Sequence, residues 1–213
     1  MTPAQALARG LERLGLVLDA GQQSALLHYA ELLARWNRVY NLTAVSDPHG
    51  IVTRHLLDAL AVLPHLRGHR LVDVGTGAGL PGLPLAIARP GLQVTLLDAS
   101  AKRIRFVQQA LLELRLDHAV AVRSRVEAYR PEPRHDCVIA RAFAGLSDML
   151  PLCRHLVTDD GEILAMQGHW PAGGPADLPA GFRLVEVIPL AVPGLVAERH
   201  LVRVVADAGA ATR

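Results

Sequence analysis

The chain of 213 residues has almost no cysteine and no long hydrophobic run. Cys137 and Cys153 are the only two cysteines, and each lies alone in an apolar stretch, so we expect buried, unpaired thiols in a reducing compartment. No run of about 18 or more uncharged apolar residues occurs, so we expect no membrane span. Residues 1–5 lack the basic start and apolar block of a signal peptide. Together these absences predict a soluble cytoplasmic protein.

Lysine is scarcer still, because Lys102 is the only one among 22 lysine and arginine residues. The formal net charge of +2 says little about partners. The placement of the basic residues is more informative, and one cluster falls within the central third of the chain: Lys102, Arg103, Arg105, Arg115, Arg123, Arg125, Arg130 and Arg134. This cluster suits phosphate contact. It suits equally a solvated helix face with ion pairs to Glu113, Glu127 and Glu132, and both alternatives stay open.

The length and the hydrophobic content of 51% predict one compact unit with a sizeable core. Within it we expect a helical extension over residues 1–66 and a sheet domain over 67–213. In the extension, apolar residues recur at helical spacing over 22–40, after a capping box formed by Asp19 and Gln22.

A second helix is predicted to begin at Asp47, an N-cap followed by proline, and to end near Pro64. On this helix, Arg54 and Asp58 are four residues apart, a spacing that favours a surface ion pair. In the alternative interpretation, Arg54, His55 and Asp58 form a charged rim directed at a ligand pocket.

From residue 70 onwards, short apolar runs alternate with helix-like segments. Strands are predicted at 70–74, 93–97, 119–122, 136–140 and 161–166, and helices at 82–89, 101–115 and 145–156. Two further strands, at 182–188 and 199–205, have no helix between them, and a loop is predicted over 170–181. This order predicts an α/β fold whose sheet is mostly parallel and ends in an antiparallel hairpin.

The first strand runs into a glycine-rich turn that matches two cofactor patterns. Read from Gly77, the turn fits the G-x-G-x-x-G of dinucleotide-binding proteins, and read from Gly75 it fits the G-x-G-x-G of S-adenosylmethionine enzymes. Because the strand ends at Val74, the tight turn begins at Gly75, with further glycines at Gly77 and Gly79. This register favours the methyl donor.

Two carboxylates near the turn bear on the same choice. Asp73 would repel a pyrophosphate, whereas the amino group and sulfonium of S-adenosylmethionine would favour a carboxylate. Asp98, at the end of the next strand, is placed to accept hydrogen bonds from ribose hydroxyls. In the alternative interpretation, Asp73 only satisfies backbone N–H groups of the turn. We predict a methyltransferase-type sheet.

The segment after the fourth predicted strand offers an arginine and no general base. Arg141, Ala142 and Phe143 follow the strand, without the Asn/Asp-Pro-Pro-aromatic or Pro-Cys motifs used on other methyl acceptors. An acceptor with a free lone pair, such as guanine N7, loses no proton on methylation and needs only alignment. Arg141 is the candidate for orienting donor or substrate. The alternative is an ion pair between Arg141 and Asp136 or Asp148.

A set of motifs occurs in the following order: Y-N-L-T at 40–43, R-H-L-L-D at 54–58, D-V-G-T-G-A-G-L-P-G at 73–82, L-L-D at 96–98, K-R at 102–103, S-R-V-E at 124–127, A-R-A at 140–142 and E-R-H-L at 198–201. In these motifs the chain resembles the glucose-inhibited division protein B family, the bacterial methyltransferases that act on N7 of guanine 527 in 16S ribosomal RNA. The resemblance covers nearly the whole chain. It implies a class I S-adenosylmethionine-dependent methyltransferase fold with an N-terminal helical extension, and 16S rRNA or the small ribosomal subunit as partner.

The resemblance and the turn together give the candidate site. The candidate cofactor-binding residues are Asp73, Gly75, Gly77, Gly79, Leu80, Asp98, Val126, Glu127 and Arg141, among which the resemblance implies Gly75, Leu80, Val126, Glu127 and Arg141. The candidates for RNA contact are Arg54, His55, Lys102, Arg103, Arg125, Arg199 and His200. We assign no metal site and expect a monomer.

The chain departs from the family pattern at two positions. Gln167 stands where the family commonly has lysine, which removes one expected substrate contact, and Ala99 stands where serine is frequent. Two other functions stay open. One is a non-catalytic RNA-binding protein that senses S-adenosylmethionine. The other, a nicotinamide-dependent oxidoreductase, has the register of the turn and Asp73 against it.

Overall fold

A computed structural model of the chain describes residues 1–141, 145–170 and 178–207. Ala142 and Phe143, and most of the loop predicted over 170–181, lie outside the described residues. No helix within these described ranges is long and apolar enough to cross a membrane.

The first part of the chain is helical, as predicted. Its helices are α1 (Pro3–Leu14), α2 (Ala20–Tyr40), α3 (Pro48–Ile51) and α4 (Asp58–Leu60), with a 3-10 turn at Leu63–His65. The capping box of Asp19 and Gln22 begins α2, and the Asp47 side chain caps α3, so both predicted helix starts are confirmed. The second predicted helix is not continuous, however, because a π-helical segment, Val52–Leu57, separates α3 from α4.

The described part of the remaining chain is built on a seven-stranded sheet. Its strands are β1 (Arg70–Val74), β2 (Gln93–Asp98), β3 (Ala119–Arg123), β4 (His135–Arg141), β5 (Val157–Gln167), β6 (Phe182–Pro189) and β7 (His200–Ala206). They lie in the order β3-β2-β1-β4-β5-β7-β6. The first five are parallel, and β7 pairs antiparallel with both β5 and β6. The predicted parallel sheet with a terminal hairpin is therefore confirmed.

Three helices connect the parallel strands: α5 (Gly82–Ala88), α6 (Ala101–Leu114) and α7 (Leu146–Cys153). Ser100 caps α6, as expected from its position. Strands β2 and β3 lie on one side of β1, whereas β4 and β5 lie on its other side. The strand order therefore reverses between β1 and β4. At such a switch point the connections after the two strands diverge and leave a crevice at the carboxyl ends of the strands. The sheet therefore directs a binding site to this edge.

The N-terminal helices share the main core with the sheet. Leu26, Tyr29 and Leu33 of α2 have no exposed surface and belong to the same apolar cluster as Phe106 of α6. Burial of these large side chains is the main source of stability for such a contact, at about 1.5–3 kcal/mol each.

Both cysteines are buried and unpaired, as predicted. Burial raises the pKa of the Cys153 thiol to about 12 and that of Cys137 well above its ordinary value. The thiols therefore stay protonated and behave as small apolar side chains.

The basic cluster does not form the ion pairs that one of its two alternative interpretations requires. Glu113 binds His28 and Arg35 instead, and within the described ranges no ion pair joins the cluster to Glu127 or Glu132. The reason is that the available partners come from other elements: Asp98 for Arg103, and Asp159 for Arg134.

Candidate functional site

The glycine turn begins directly after β1, in the register that the sequence predicts. Gly75, Gly77 and Gly79 have φ values of 70°, 59° and 85°, a region that side chains other than glycine rarely adopt. Gly75 N donates to the Leu97 carbonyl at 2.8 Å, and Gly77 N donates to Asp98 Oδ2 at 3.0 Å. The turn is therefore attached to the end of β2.

Most backbone N–H groups of the turn donate to acceptors inside the protein. Thr76 N donates to the Leu97 carbonyl, while Gly79 N and Leu80 N both donate to the Thr76 carbonyl. At the start of α5, Gly82 N donates to Asp73 Oδ2 and Leu83 N to the Gly79 carbonyl. A pyrophosphate needs free N–H groups at this helix end. The turn is therefore better suited to a ligand without phosphate.

Asp73 holds the two ends of the turn together. Its Oδ2 accepts hydrogen bonds from Thr76 Oγ1 at 2.6 Å and from Gly82 N at 2.8 Å. A Cβ at position 82 would lie 2.8 Å from the same oxygen, which explains the glycine. Burial, only partly offset by these bonds, raises the pKa of Asp73 to about 6. This is the turn-holding role considered above as the alternative, and direct contact between Asp73 and a donor stays a prediction.

Asp98 is nearly buried at the end of β2 and organises the neighbouring backbone. Oδ1 accepts from Ser100 N at 2.8 Å, and Oδ2 accepts from Gly77 N and, at 3.4 Å, from Arg103 Nη1. Arg103, a candidate for RNA contact, is thus tied to the cofactor side of the site. The predicted contact between Asp98 and a ribose stays a prediction.

A cavity opens beside the turn at the carboxyl ends of β1, β2 and β3. Four candidate cofactor residues line it, namely Gly75, Asp98, Val126 and Glu127. Arg103 and Arg125, predicted to contact RNA, line it as well. We call this the turn cavity. The other turn candidates, Gly77, Gly79 and Leu80, are not among the residues that line this cavity. They belong to the turn itself, and the Leu80 side chain is buried.

A second cavity lies at the same edge, beyond the ends of β4 and β5. It brings together the following residues: Arg54, His55, Asp58, Arg141, Gln167 and Arg199. We call this the arginine cavity. Three candidates for RNA contact therefore meet Arg141 in one place. Lys102 does not join them, because its Nζ donates to the Tyr40 carbonyl at 2.6 Å. His200 lies on β7, half-buried.

Asp58 binds two arginines of the arginine cavity. Arg199 Nε donates to Asp58 Oδ1 at 2.9 Å, and Arg141 Nη1 donates to Oδ2 at 3.3 Å, while the Asp58 side chain is only 2% exposed. Both sequence-based ion pairs are therefore wrong. Arg54 is exposed and does not pair with Asp58, which points towards the sheet. Arg141 pairs with neither Asp136 nor Asp148.

His55 is a neutral member of the arginine cavity. Its Nδ1–H donates to the Arg54 carbonyl at 2.9 Å, so Nε2 accepts from Thr43 Oγ1 at 2.7 Å. Burial, and then the charge of Arg141, lower the pKa of His55 to about 4. With both ring nitrogens engaged, His55 is a structural tether for the segment around Thr43 rather than a free base.

One residue at the site has no sequence signal. The hydroxyl of Tyr29 donates to the Ala78 carbonyl in the glycine turn at 2.7 Å. In the sequence Tyr29 is one more apolar position of α2, so only the tertiary structure reveals this contact.

Comparison with known proteins identifies the family. The family model described as rRNA small subunit methyltransferase G matches residues 22–202. The chain belongs to this family. Relatives named ribosomal RNA small subunit methyltransferase G include one from Aromatoleum aromaticum, 52% identical over 93% of this chain and 97% of the relative. Another, from Shewanella amazonensis, is 48% identical over 95% of this chain and 98% of the relative.

Solved structures with little sequence identity share the fold. A SAM-dependent methyltransferase from Aquifex aeolicus has a TM-score of 0.57 at 15% identity, over 81% of this chain and 98% of that one. The glycopeptide N-methyltransferase MtfA, complexed with S-adenosylmethionine, has a TM-score of 0.56 at 15% identity, over 71% and 94%. The predicted class I methyltransferase fold is confirmed, and the chain is a methyltransferase. The nicotinamide-dependent alternative has no support.

Proposed function

We propose that the chain transfers a methyl group from S-adenosylmethionine to N7 of guanine 527 in 16S ribosomal RNA. The observation that carries this proposal is the pair of cavities at one edge of the sheet. One is built on a turn whose N–H groups at Gly75, Gly77, Gly79 and Gly82 already donate within the protein, and the other is lined by three arginines and by a histidine with both ring nitrogens engaged. They lie on either side of the switch point between β1 and β4.

The turn cavity fits the methyl donor. The backbone at Gly75 allows close approach of a ligand, Asp98 would accept hydrogen bonds from the ribose, and Val126 with Glu127 would hold the adenine. When bound, S-adenosylmethionine supplies a methyl carbon that is already activated by a positive sulfur. The protein therefore needs to hold and align the two reactants rather than to activate either of them.

The arginine cavity fits a guanine in RNA. Its three guanidinium groups outnumber the single carboxylate of Asp58, so the cavity attracts phosphates and the guanine O6. The N7 lone pair forms the new bond to carbon while the carbon–sulfur bond breaks and its electron pair goes to sulfur. Positive charge passes from sulfur to the guanine ring, and no proton moves. Neutral His55, with both nitrogens engaged, and Asp58, with both oxygens engaged, agree with a reaction that needs no base.

The same proposal covers partner and location. The partner is 16S rRNA or the small subunit, and the protein works in the cytoplasm, where ribosomes assemble. As for the oligomeric state, the expectation of a monomer stays a prediction. We also propose that residues 1–66 are a helical extension of a sheet domain spanning 67–213.

The test measures methyl transfer at the predicted atom. Protein, labelled S-adenosylmethionine and unmodified 16S rRNA, free or in small subunits, are incubated, and N7-methylguanine is mapped along the RNA. We expect one modified guanine. Donor binding without transfer to either substrate would instead support the sensor function. Label at another atom would contradict the assignment of N7.

The donor part is tested by binding alone. Substituting Asp73 by alanine removes the acceptor that joins Thr76 to Gly82, so we expect the turn to open and donor binding to be lost in calorimetry. Unchanged donor affinity in a folded Asp73→Ala protein would contradict the role of this carboxylate.

A further inference from the structure

We propose that Tyr29 is a positioning residue for the methyl donor, acting through the glycine turn. This inference rests on the proposed function. The Tyr29 hydroxyl reaches from α2 to the Ala78 carbonyl at 2.7 Å, and the side chain has no exposed surface. The helical segment thereby contacts the cofactor turn by a polar bond as well as by packing.

The bond fixes one peptide plane of the turn. Ala78 stands between Gly77 and Gly79, both in the left-handed region, where glycine permits the backbone to rotate easily. Gly79 N, at one side of the Ala78–Gly79 peptide, donates to the Thr76 carbonyl at 2.9 Å. The carbonyl at the other side accepts from Tyr29. Without the hydroxyl, this peptide is held at one side only.

The environment of Tyr29 keeps its hydroxyl a donor and its ring in place. Burial raises the pKa of Tyr29 well above its ordinary value, so the hydroxyl keeps its proton at any physiological pH. The ring lies 6.4 Å from that of Phe106, which in turn lies 5.6 Å from Trp36. Tyr29 and Trp36 thus both hold α2 against α6 through Phe106, and Trp36 also stacks on Tyr40 within α2 at 5.1 Å.

Helix α2 is therefore connected to both cavities. Tyr29 holds the turn cavity through Ala78. Beyond the end of the helix, Thr43 bonds His55 in the arginine cavity, and Asn37 Oδ1 accepts from Thr43 N at 2.8 Å. A helix that supports both reactants is suited to hold donor and acceptor in a fixed relation, which is the main task of a methyltransferase that uses no base.

The test uses Tyr29→Phe, which keeps the ring and removes only the hydroxyl. We expect the Kd for S-adenosylmethionine and for S-adenosylhomocysteine to rise about five- to tenfold, as for one lost hydrogen bond. The KM for the donor should rise by the same factor, with kcat changed less. The matched control is Tyr129→Phe, the same chemical change at a tyrosine beyond the turn cavity, and its donor affinity should equal that of the wild type.

The outcomes separate this inference from the proposed function. If the wild type binds the donor and folded Tyr29→Phe binds it within twofold of the wild type, Tyr29 is structural only and the inference is wrong. A merely structural role would lower Tm and leave Kd unchanged. If the wild type itself binds no donor, the proposed function fails. Should Tyr29→Phe not fold, Phe106→Leu decides, because it loosens the ring that positions the hydroxyl, and an unchanged donor Kd in that folded variant would contradict the inference.

Discussion

The two edges of the parallel sheet carry similar groups in different arrangements. At the amino edge, Arg70 and Tyr129 line a cavity, and Asp136 joins β4 to β1. Asp136 takes the Arg70 guanidinium at 2.7 Å and, on its other oxygen, the backbone N–H groups of His69 and Arg70. Every bond of this carboxylate serves the start of two neighbouring strands. At the amino edge, Arg70 and Asp136 are therefore fully accounted for by their role in holding the sheet together.

At the carboxyl edge, Asp58 gathers side chains rather than backbone. Its two arginines come from the end of β4 and the segment before β7, and Arg54, exposed beside them, has no ion pair within the described residues. Positive charge is therefore left over and faces a cavity. An arginine–aspartate contact alone does not mark a site, whereas charge left in excess beside a cavity does.

Each edge also has one buried histidine, His55 at the carboxyl edge and His135 at the amino edge. The pKa values of His55 and His135 are both lowered to about 4, chiefly by burial. The ring nitrogens of His135, at the amino edge, are inaccessible to solvent and have no partner in the described part of the chain. A lowered pKa therefore reports burial at both edges and function at neither. What distinguishes His55 is its place in the arginine cavity.

The largest difference between the two edges is expected when one carboxylate at each edge is neutralised. Asp58→Asn loosens Arg141 and Arg199, so we expect kcat/KM for methyl transfer to fall about 100-fold, as for a misplaced positioning group. Donor affinity should change much less than kcat/KM, because Asp58 does not line the turn cavity and could act on the donor only through Arg141.

The matched control is Asp136→Asn at the amino edge. It weakens the Arg70–Asp136 ion pair, so the free energy of unfolding should fall by about 1–3 kcal/mol while the folded enzyme keeps its activity. Equal loss of kcat/KM in the two variants would show that the clusters do not differ in function.

A smaller effect is expected from restoring a charge. Gln167→Lys adds an ammonium group to the arginine cavity, and Gln93→Lys adds one at the amino-edge cavity. We expect Gln167→Lys to bind a 16S rRNA fragment about three- to tenfold more tightly at low salt, with a salt dependence steeper by about one unit. Filter binding at several salt concentrations measures both. A similar gain from Gln93→Lys would mean that the RNA does not distinguish the edges.

The smallest effect on activity is expected from His135→Gln. Because the folded pKa of about 4 lies below the ordinary histidine value of about 6.5, the folded state binds fewer protons in this window. The histidine's contribution is complete above pH 6.5 and is lost as the pH falls towards 4, by at most about 2 kcal/mol at pH 5. Denaturant unfolding at pH 7 and pH 5 should therefore give a weaker decline for the variant.

Asp73 does not obscure this measurement. Its raised pKa of about 6 has the opposite sign, since protonation below pH 6 favours the folded state, and it is common to both proteins. Methyl transfer relative to the wild type should be unchanged between pH 5 and 7. An unchanged pH dependence of unfolding in His135→Gln would contradict the assigned pKa.

The helices and strands and their order follow from the residue pattern along the chain. Alternating strand and helix patterns, the caps at Asp19, Asp47 and Ser100, and the register of the turn after Val74 all depend on residues close together in the chain. Hydrogen bonds within helices, caps and turns join near neighbours, so sequence periodicity reports them directly. The motifs also carried the resemblance that the family match confirms.

The partners of the polar side chains at the site follow instead from how the elements pack against one another. Asp58 binds arginines that are 83 and 141 residues away, whereas the sequence suggested Arg54, four residues away. Asp73 accepts a hydrogen bond from Thr76 within its own turn, and Tyr29 of α2 donates to Ala78 of the same turn although the two residues are 49 positions apart. Such bonds depend on which side chains the packed sheet and helices bring together, and a spacing rule for one helix contains no information about that.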